Sequence, residues 1–137
     1  WTDDTAMAVC LGASLINCRG FDLKDQIERY CQWYQNSFDI RTALGLEKDG
    51  NGSGSIIPCR DIGNTTRDAL DNYLYSGNPE SGSTDLMSSG NGSIMRLAPV
   101  PLFYRKDPAM AVEFGGRSSL TTHGSAECID ACGCYPQ

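Results

Sequence analysis

The chain has 137 residues, 40% of them apolar, and a formal charge of −6. This length fits a single domain over 1–137. The acidic balance excludes a broad nucleic-acid surface, and no apolar run approaches the ~20 residues that span a bilayer.

The seven cysteines are odd in number. Cys10, Cys31 and Cys128 fall among apolar helical positions, so we expect reduced thiols in a cytoplasmic protein rather than a disulfide framework. The close of the chain, Cys128-Ile-Asp-Ala-Cys132-Gly-Cys134, has a metal-cluster look but lacks a second pair at zinc-finger spacing.

In chain order, Thr5 to Ile16 reads as a first helix, apolar nearly all round and therefore central, with Gly20 at its stop. Asp22 is a good N-cap for a second helix. Leu23, Ile27, Tyr30, Cys31 and Tyr34 form its apolar face at i, i+4, i+7, i+8 and i+11. From Gln35 to Pro58 the periodicity fails, and 47–55 has a loop composition. A third helix is expected from Asn64-Thr65-Thr66, burying Ala69, Leu70, Tyr73 and Leu74. Ser93 to Leu97 reads as a short helix emerging from a Gly/Ser-rich stretch, and Met110 to Phe114 is ambiguous. Thr122 or Ser125 is placed to cap a last helix through Ala126, Ile129 and Cys132. No strand alternation is convincing. The fold class is all-α, a helical bundle whose long Gly/Ser-rich loops carry most polar residues.

Four stretches could carry chemistry. The opening Trp1-Thr-Asp-Asp-Thr5 places two carboxylates and two hydroxyls at a helix entrance. Its plain reading is a cap, yet the oxygen count exceeds what a cap needs and suits Mg²⁺, Mn²⁺ or Ca²⁺. Asp61-Ile-Gly-Asn-Thr-Thr-Arg67 is either a loop with its N-cap or a carboxylate beside a helix N-terminus that faces an anion. Ser88-Ser-Gly-Asn-Gly-Ser-Ile-Met-Arg96 is a turn, or a loop whose glycines let the backbone approach a ligand. Ser119-Leu-Thr-Thr-His-Gly-Ser125 holds the sole histidine, and a lone His is more often structural than catalytic. A fifth stretch, Asp49-Gly-Asn-Gly-Ser-Gly-Ser-Ile56, mimics the start of a calcium loop, but Arg60 stands where the closing Glu belongs.

Taken together and in order, Trp1-Thr-Asp-Asp-Thr-Ala-Met7, Asp61-Ile-Gly-Asn-Thr-Thr-Arg67, Gly90-Asn-Gly-Ser-Ile-Met-Arg-Leu-Ala-Pro99 and Thr121-Thr-His-Gly124, with Glu127 and Asp130 following, resemble the ADP-ribosylglycohydrolase family. The resemblance runs from residue 1 to about Cys132. It implies an all-α fold, a binuclear Mg²⁺ or Mn²⁺ centre, and hydrolysis of the bond joining ADP-ribose to a protein side chain or small acceptor. It assigns Thr2, Asp3 and Asp4 to the metal site and Asp61 and His123 to the catalytic centre. Gly63, Asn64, Ser89, Gly90, Asn91, Gly92, Ser93 and Met95 fall to ADP-ribose.

The family's N-terminal helical segment and its Asp-x-Asp-Thr segment have no counterpart here. The resemblance therefore implies a truncated, middle slice of the fold, with 133–137 as a divergent tail. Apolar surface left open on such a slice leads us to expect that the chain pairs with itself, as a homo-oligomer, or with another chain. Two alternatives to turnover remain: a non-catalytic ADP-ribose or nucleotide-binding module, and a ligand-free helical relic.

Overall fold

The computed structural model describes residues 2–46 and 56–134. The calcium-loop mimic lies mostly outside them, as does most of the 133–137 tail. The chain is helical: α1 (Asp3–Asn17), α2 (Leu23–Tyr34), α3 (Ile40–Ala43), α4 (Asn64–Ser76), a 3₁₀ turn (Leu86–Ser88), α5 (Gly92–Met95), α6 (Pro99–Phe103), α7 (Pro108–Ser119) and α8 (Ala126–Gly133). Among the described residues no strand forms, and only isolated bridges occur, Asp39 with Ile56 and Ser83 with His123.

Helix α1 is the hub. Ala6, Met7, Cys10, Leu11, Ala13 and Leu15 are buried, and the helix packs against α2, α6, α3 and α5. It stops because Arg19 turns left-handed (φ 54°), and the Gly20 N–H then returns to the Leu15 carbonyl at 3.1 Å. The expected stop at Gly20 therefore begins one residue earlier. Gly12 is an interior residue of α1 whose added Cβ would meet only Pro99 side-chain atoms at 3.8 Å. Gly12→Ala is expected to raise stability by about 0.5–1 kcal/mol, because the helix loses backbone entropy at glycine without needing it. Urea denaturation of the two proteins checks this.

Helix α2 forms as its pattern predicts. Asp22 accepts from the Asp25 N–H at 2.9 Å, and Ile27, Tyr30 and Cys31 go inward with Gln26 and Trp33. Trp33 Nε1 donates to the Pro58 carbonyl, and Asn36 Oδ1 accepts from the Cys59 N–H. These bonds tie Pro58 and Cys59 to the end of α2 and fix the approach to Asp61.

Three elements depart from expectation. Met110 to Phe114 belongs to a twelve-residue helix capped by Asp107. Its second half, Gly115-Gly-Arg-Ser-Ser119, lies against α8. A Cβ at Gly115 would stand 2.6 Å from the Cys132 carbonyl oxygen, so glycine is what lets the two helix backbones meet. Helix α6 contains Pro99 and Pro101, which sit in the first turn where no N–H bond is lost. The short α3 is held by Asp39, whose carboxylate accepts from the Arg41 and Thr42 N–H groups. The last helix starts at Ser125, whose Oγ accepts from the Cys128 N–H.

All seven cysteines are free. Burial pushes the Cys10 thiol up to about 12 and Cys31 to about 11, so neither is a nucleophile near neutrality. No helix among the described residues is long and apolar enough to cross a membrane.

Candidate functional site

The four stretches converge around the short helix α5. The opening carboxylates lie at the start of α1, and helix capping does not consume them. Thr2 holds the N-cap position, but its side chain accepts from no backbone N–H of the helix. Its Oγ1 lies 3.3 Å from Thr5 Oγ1, and among the described residues Asp3 Oδ1 accepts from the neighbouring Asp4 N–H. Asp4 is half-buried, and its carboxyl is raised above the usual range by desolvation and then by the Asp3 charge. The Arg96 guanidinium pulls it the other way. Two like charges crowded at a partly desolvated helix entrance form an arrangement that a cation would relieve.

Asp61 is exposed and takes a left-handed backbone at φ 56°. A non-glycine residue in this region carries conformational strain. Two residues before it, burial and the Asp3 charge both raise the Cys59 thiol, so this stretch runs near the mouth of α1. Gly63 and Asn64, both exposed, form the N-cap and first residue of α4. One turn into α4, Thr66 is buried, with its Oγ1 3.7 Å from where a Gly92 Cβ would stand.

The glycine-rich loop closes on the sole histidine. A Cβ at Gly92 would stand 2.9 Å from His123 Cε1, and one at Gly90 3.5 Å from His123 Nε2. At Gly92 the imidazole occupies the space a side chain would need, whereas at Gly90 an added Cβ would make an ordinary contact. Ser89 Oγ pairs with Ser125 Oγ at 2.8 Å, and Cys128 Sγ donates to the Gly90 carbonyl. Ser93 faces inward, with its Oγ 2.9 Å from Ser119 Oγ, and Cys132 Sγ donates to it. Its hydroxyl is therefore committed to the interior, whereas Asn91 and Met95 are exposed. Ser89, Gly90, Asn91, Ser93 and Ile94 line a cleft of about 250 Å³ together with residues of α8 that include Glu127.

The histidine is locked from behind. His123 is 3% exposed, and Thr122 Oγ1 lies 2.8 Å from its Nδ1. Burial, and then the Arg96 charge, lower its pKa to about 4, so it is neutral near pH 7. Arg96 is fully buried. Its Nη1 donates to Thr122 Oγ1 at 2.7 Å, and its Nη2 donates to Thr121 Oγ1 at 2.8 Å and to the Ser118 carbonyl at 3.3 Å. Its guanidinium carbon stands 4.8 Å from the centre of the Tyr30 ring. Neither Arg96 nor Thr122 stood out as a site residue in the sequence. The available signal was a single cation inside the run Ile94-Met-Arg-Leu-Ala98.

The oxygen donors of Thr2, Asp3 and Asp4 fit a hard divalent cation in kind. They do not amount to a full set. Among the described residues, no group of three or more His, Cys, Asp or Glu side chains is placed to hold a metal ion. Cys128 and Cys132 spend their thiols on Gly90 and Ser93.

The chain is thus a helical bundle with paired carboxylates at the start of its central helix and a glycine loop closed on a neutral histidine. Residues 1–136 match the profile of ADP-ribosylglycohydrolase, and the chain belongs to that family. It is 36% identical over 132 residues to the ADP-ribosylarginine hydrolase Tri1 of Serratia proteamaculans (strain 568), a match spanning 96% of this chain and 32% of that protein. The protein of the same description from Pseudomonas putida (strain GB-1) is 34% identical over 132 residues, again 96% of this chain and 32% of the relative. A solved structure described as an ADP-ribosylglycohydrolase-related protein complex superposes with a TM-score of 0.70 at 36% identity. That match covers 97% of this chain and 36% of the solved one. The chain therefore spans about a third of the length of the relatives it matches.

Proposed function

We propose that this chain is the ADP-ribose-holding segment of a metal-dependent hydrolase that cleaves ADP-ribose from a protein side chain, with arginine as the favoured acceptor. The observation that carries the reading is the Gly90–Gly92 loop closed on a buried, neutral His123 beside an open cleft. A loop with little side-chain bulk and a neutral donor behind it suits the oxygen-rich diphosphate and ribose of ADP-ribose. Arginine as acceptor is supported by the two relatives, both described as ADP-ribosylarginine hydrolases.

In this reading Thr2, Asp3 and Asp4 hold Mg²⁺ or Mn²⁺, and the bound metal supplies Lewis acidity toward water and ribose oxygens. Asp61 offers a carboxylate to the charge that develops at the anomeric carbon. Gly63, Asn64, Ser89, Asn91 and Met95 border the sugar and phosphates, and Ser93 serves through its backbone. A non-catalytic ADP-ribose module is the second reading. It is favoured by the contrast between the built loop–histidine contact and carboxylates that do not gather in threes among the described residues.

Calorimetric titration of ADP-ribose, with and without Mg²⁺ or Mn²⁺, tests both readings. Metal-dependent binding that Asp3→Ala and Asp4→Ala weaken about tenfold or more supports the hydrolase segment. Binding indifferent to metal and to these variants supports the module. No binding by the folded chain would overturn both.

A further inference from the structure

We infer that Arg96 and Thr122 are a positioning pair that fixes His123 as its Nε2–H tautomer, with that N–H directed at the Gly90–Gly92 loop and the ligand oxygens held there. The ligand half of this statement rests on the ADP-ribose reading above. The tautomer half does not.

The argument is one of hydrogen counting. A guanidinium has donors and no acceptor. Arg96 Nη1 lies 2.7 Å from Thr122 Oγ1, so the threonine oxygen accepts there and its own hydrogen points elsewhere. The other partner of that hydroxyl is His123 Nδ1, at 2.8 Å. The threonine hydrogen therefore goes to Nδ1, which must carry a lone pair, and the ring hydrogen must sit on Nε2. The reverse order would load two donors onto Thr122 Oγ1 and leave its hydrogen without an acceptor among the described residues, in a buried site where that is unfavourable.

The relay holds its direction because Arg96 is itself held. Thr121 Oγ1 and the Ser118 carbonyl accept from Nη2, and the Tyr30 ring covers the guanidinium. At the far end, Nε2 has no protein partner among the described residues, and it faces the positions where side chains on Gly90 and Gly92 would stand. The His123 ring is neutral for the reasons of burial and charge already given, so it donates one hydrogen bond and gives none to a competing acceptor at Nδ1. A neutral donor suits an anionic oxygen without holding it as an ion pair would.

His123 is the only histidine, so ¹⁵N-resolved proton correlation of the imidazole reads the tautomer without assignment ambiguity. The wild-type chain is expected to show a pyrrole-like Nε2 and a pyridine-like Nδ1 at pH 7. Thr122→Val removes the donor to Nδ1 and the tether of the ring, and is expected to move the Nδ1 nitrogen resonance to that of an unbonded pyridine-like nitrogen and to weaken ADP-ribose about tenfold as the Nε2–H loses its aim. Thr122→Ser restores the hydroxyl and is expected to recover both readouts, which a loss of packing alone would not do. An Nδ1–H ring in the wild type, or an unchanged Nδ1 resonance in a folded Thr122→Val, would overturn the inference. A wild-type ring of the expected form in a chain that binds no ADP-ribose would uphold the positioning pair and overturn the proposed function, so the two failures are separable.

Discussion

Gly82→Ala is expected to destabilise the chain by about 3 kcal/mol and to displace His123. A Cβ at this position would stand 2.5 Å from the His123 nitrogen, 2.7 Å from the Gly124 nitrogen and 2.7 Å from the Thr122 carbonyl carbon. All three are backbone atoms, so no rotamer change relieves the overlap. The same segment is stitched by the Gly82 N–H to the Leu120 carbonyl and by the Gly124 N–H to the Ser83 carbonyl, both at 2.9 Å. Making room therefore breaks hydrogen bonds as well as packing, and the strand-like contact of 82–83 with 123–124 has to open. Gly90→Ala is the comparison, because its Cβ meets His123 Nε2 at an ordinary 3.5 Å. It is expected to change stability by less than about 0.5 kcal/mol. Urea midpoints for the three proteins check both values, and equal midpoints for Gly82→Ala and wild type would show that the two segments are not closely seated.

What the sequence made legible is set by which interactions are local. Helix α2 carries its apolar face at helical spacing and its own Asp22 cap, so both its existence and its start could be read. Helix α4 is likewise readable from Asn64 and its inward Ala69, Leu70 and Tyr73, although Leu74 proves exposed. The second half of α7 could not be read, because Gly115 and Gly116 are there for the α8 backbone and that neighbour is invisible along the chain. Helix α6 hid behind prolines that are harmless only because they occupy the first turn.

The site divides in the same way. The order of four polar stretches pointed to the family, and three of them meet at α5, where Thr66 and His123 lie against Gly92. The supporting layer was not legible. Arg96 looks like an ordinary surface cation until α7 and its exit loop are seen to bring Ser118, Thr121 and Thr122 around it. Ser93 looked like a ligand-facing hydroxyl, yet Ser119 and Cys132 face it from elements distant in sequence.

The stability of the fold should fall on mild acidification through His123. The unfolded histidine titrates near 6.5, whereas burial and the Arg96 charge lower the folded value to about 4. Between those values the unfolded chain binds the proton and the folded chain does not, so stability is full above pH 6.5 and is lost progressively as pH falls toward 4. With this displacement the loss between pH 7 and pH 5 is roughly 2 kcal/mol, approaching about 3 kcal/mol near pH 4. Asp4 works in the opposite direction, since its raised carboxyl takes up a proton more readily when folded. Asp25, whose burial is outweighed by the hydrogen bonds it accepts from Arg29, is lowered and works in the same direction as the histidine but below the carboxylate range. The histidine contribution is therefore isolated by difference. His123→Asn shifts stability by some constant amount, but the gap between variant and wild type is expected to move by about 2 kcal/mol in the variant's favour from pH 7 to pH 5. Denaturation curves at the two pH values measure it. A constant gap would mean that the folded imidazole titrates normally, and therefore that Arg96 and the glycine loop do not enclose it as tightly as these contacts require.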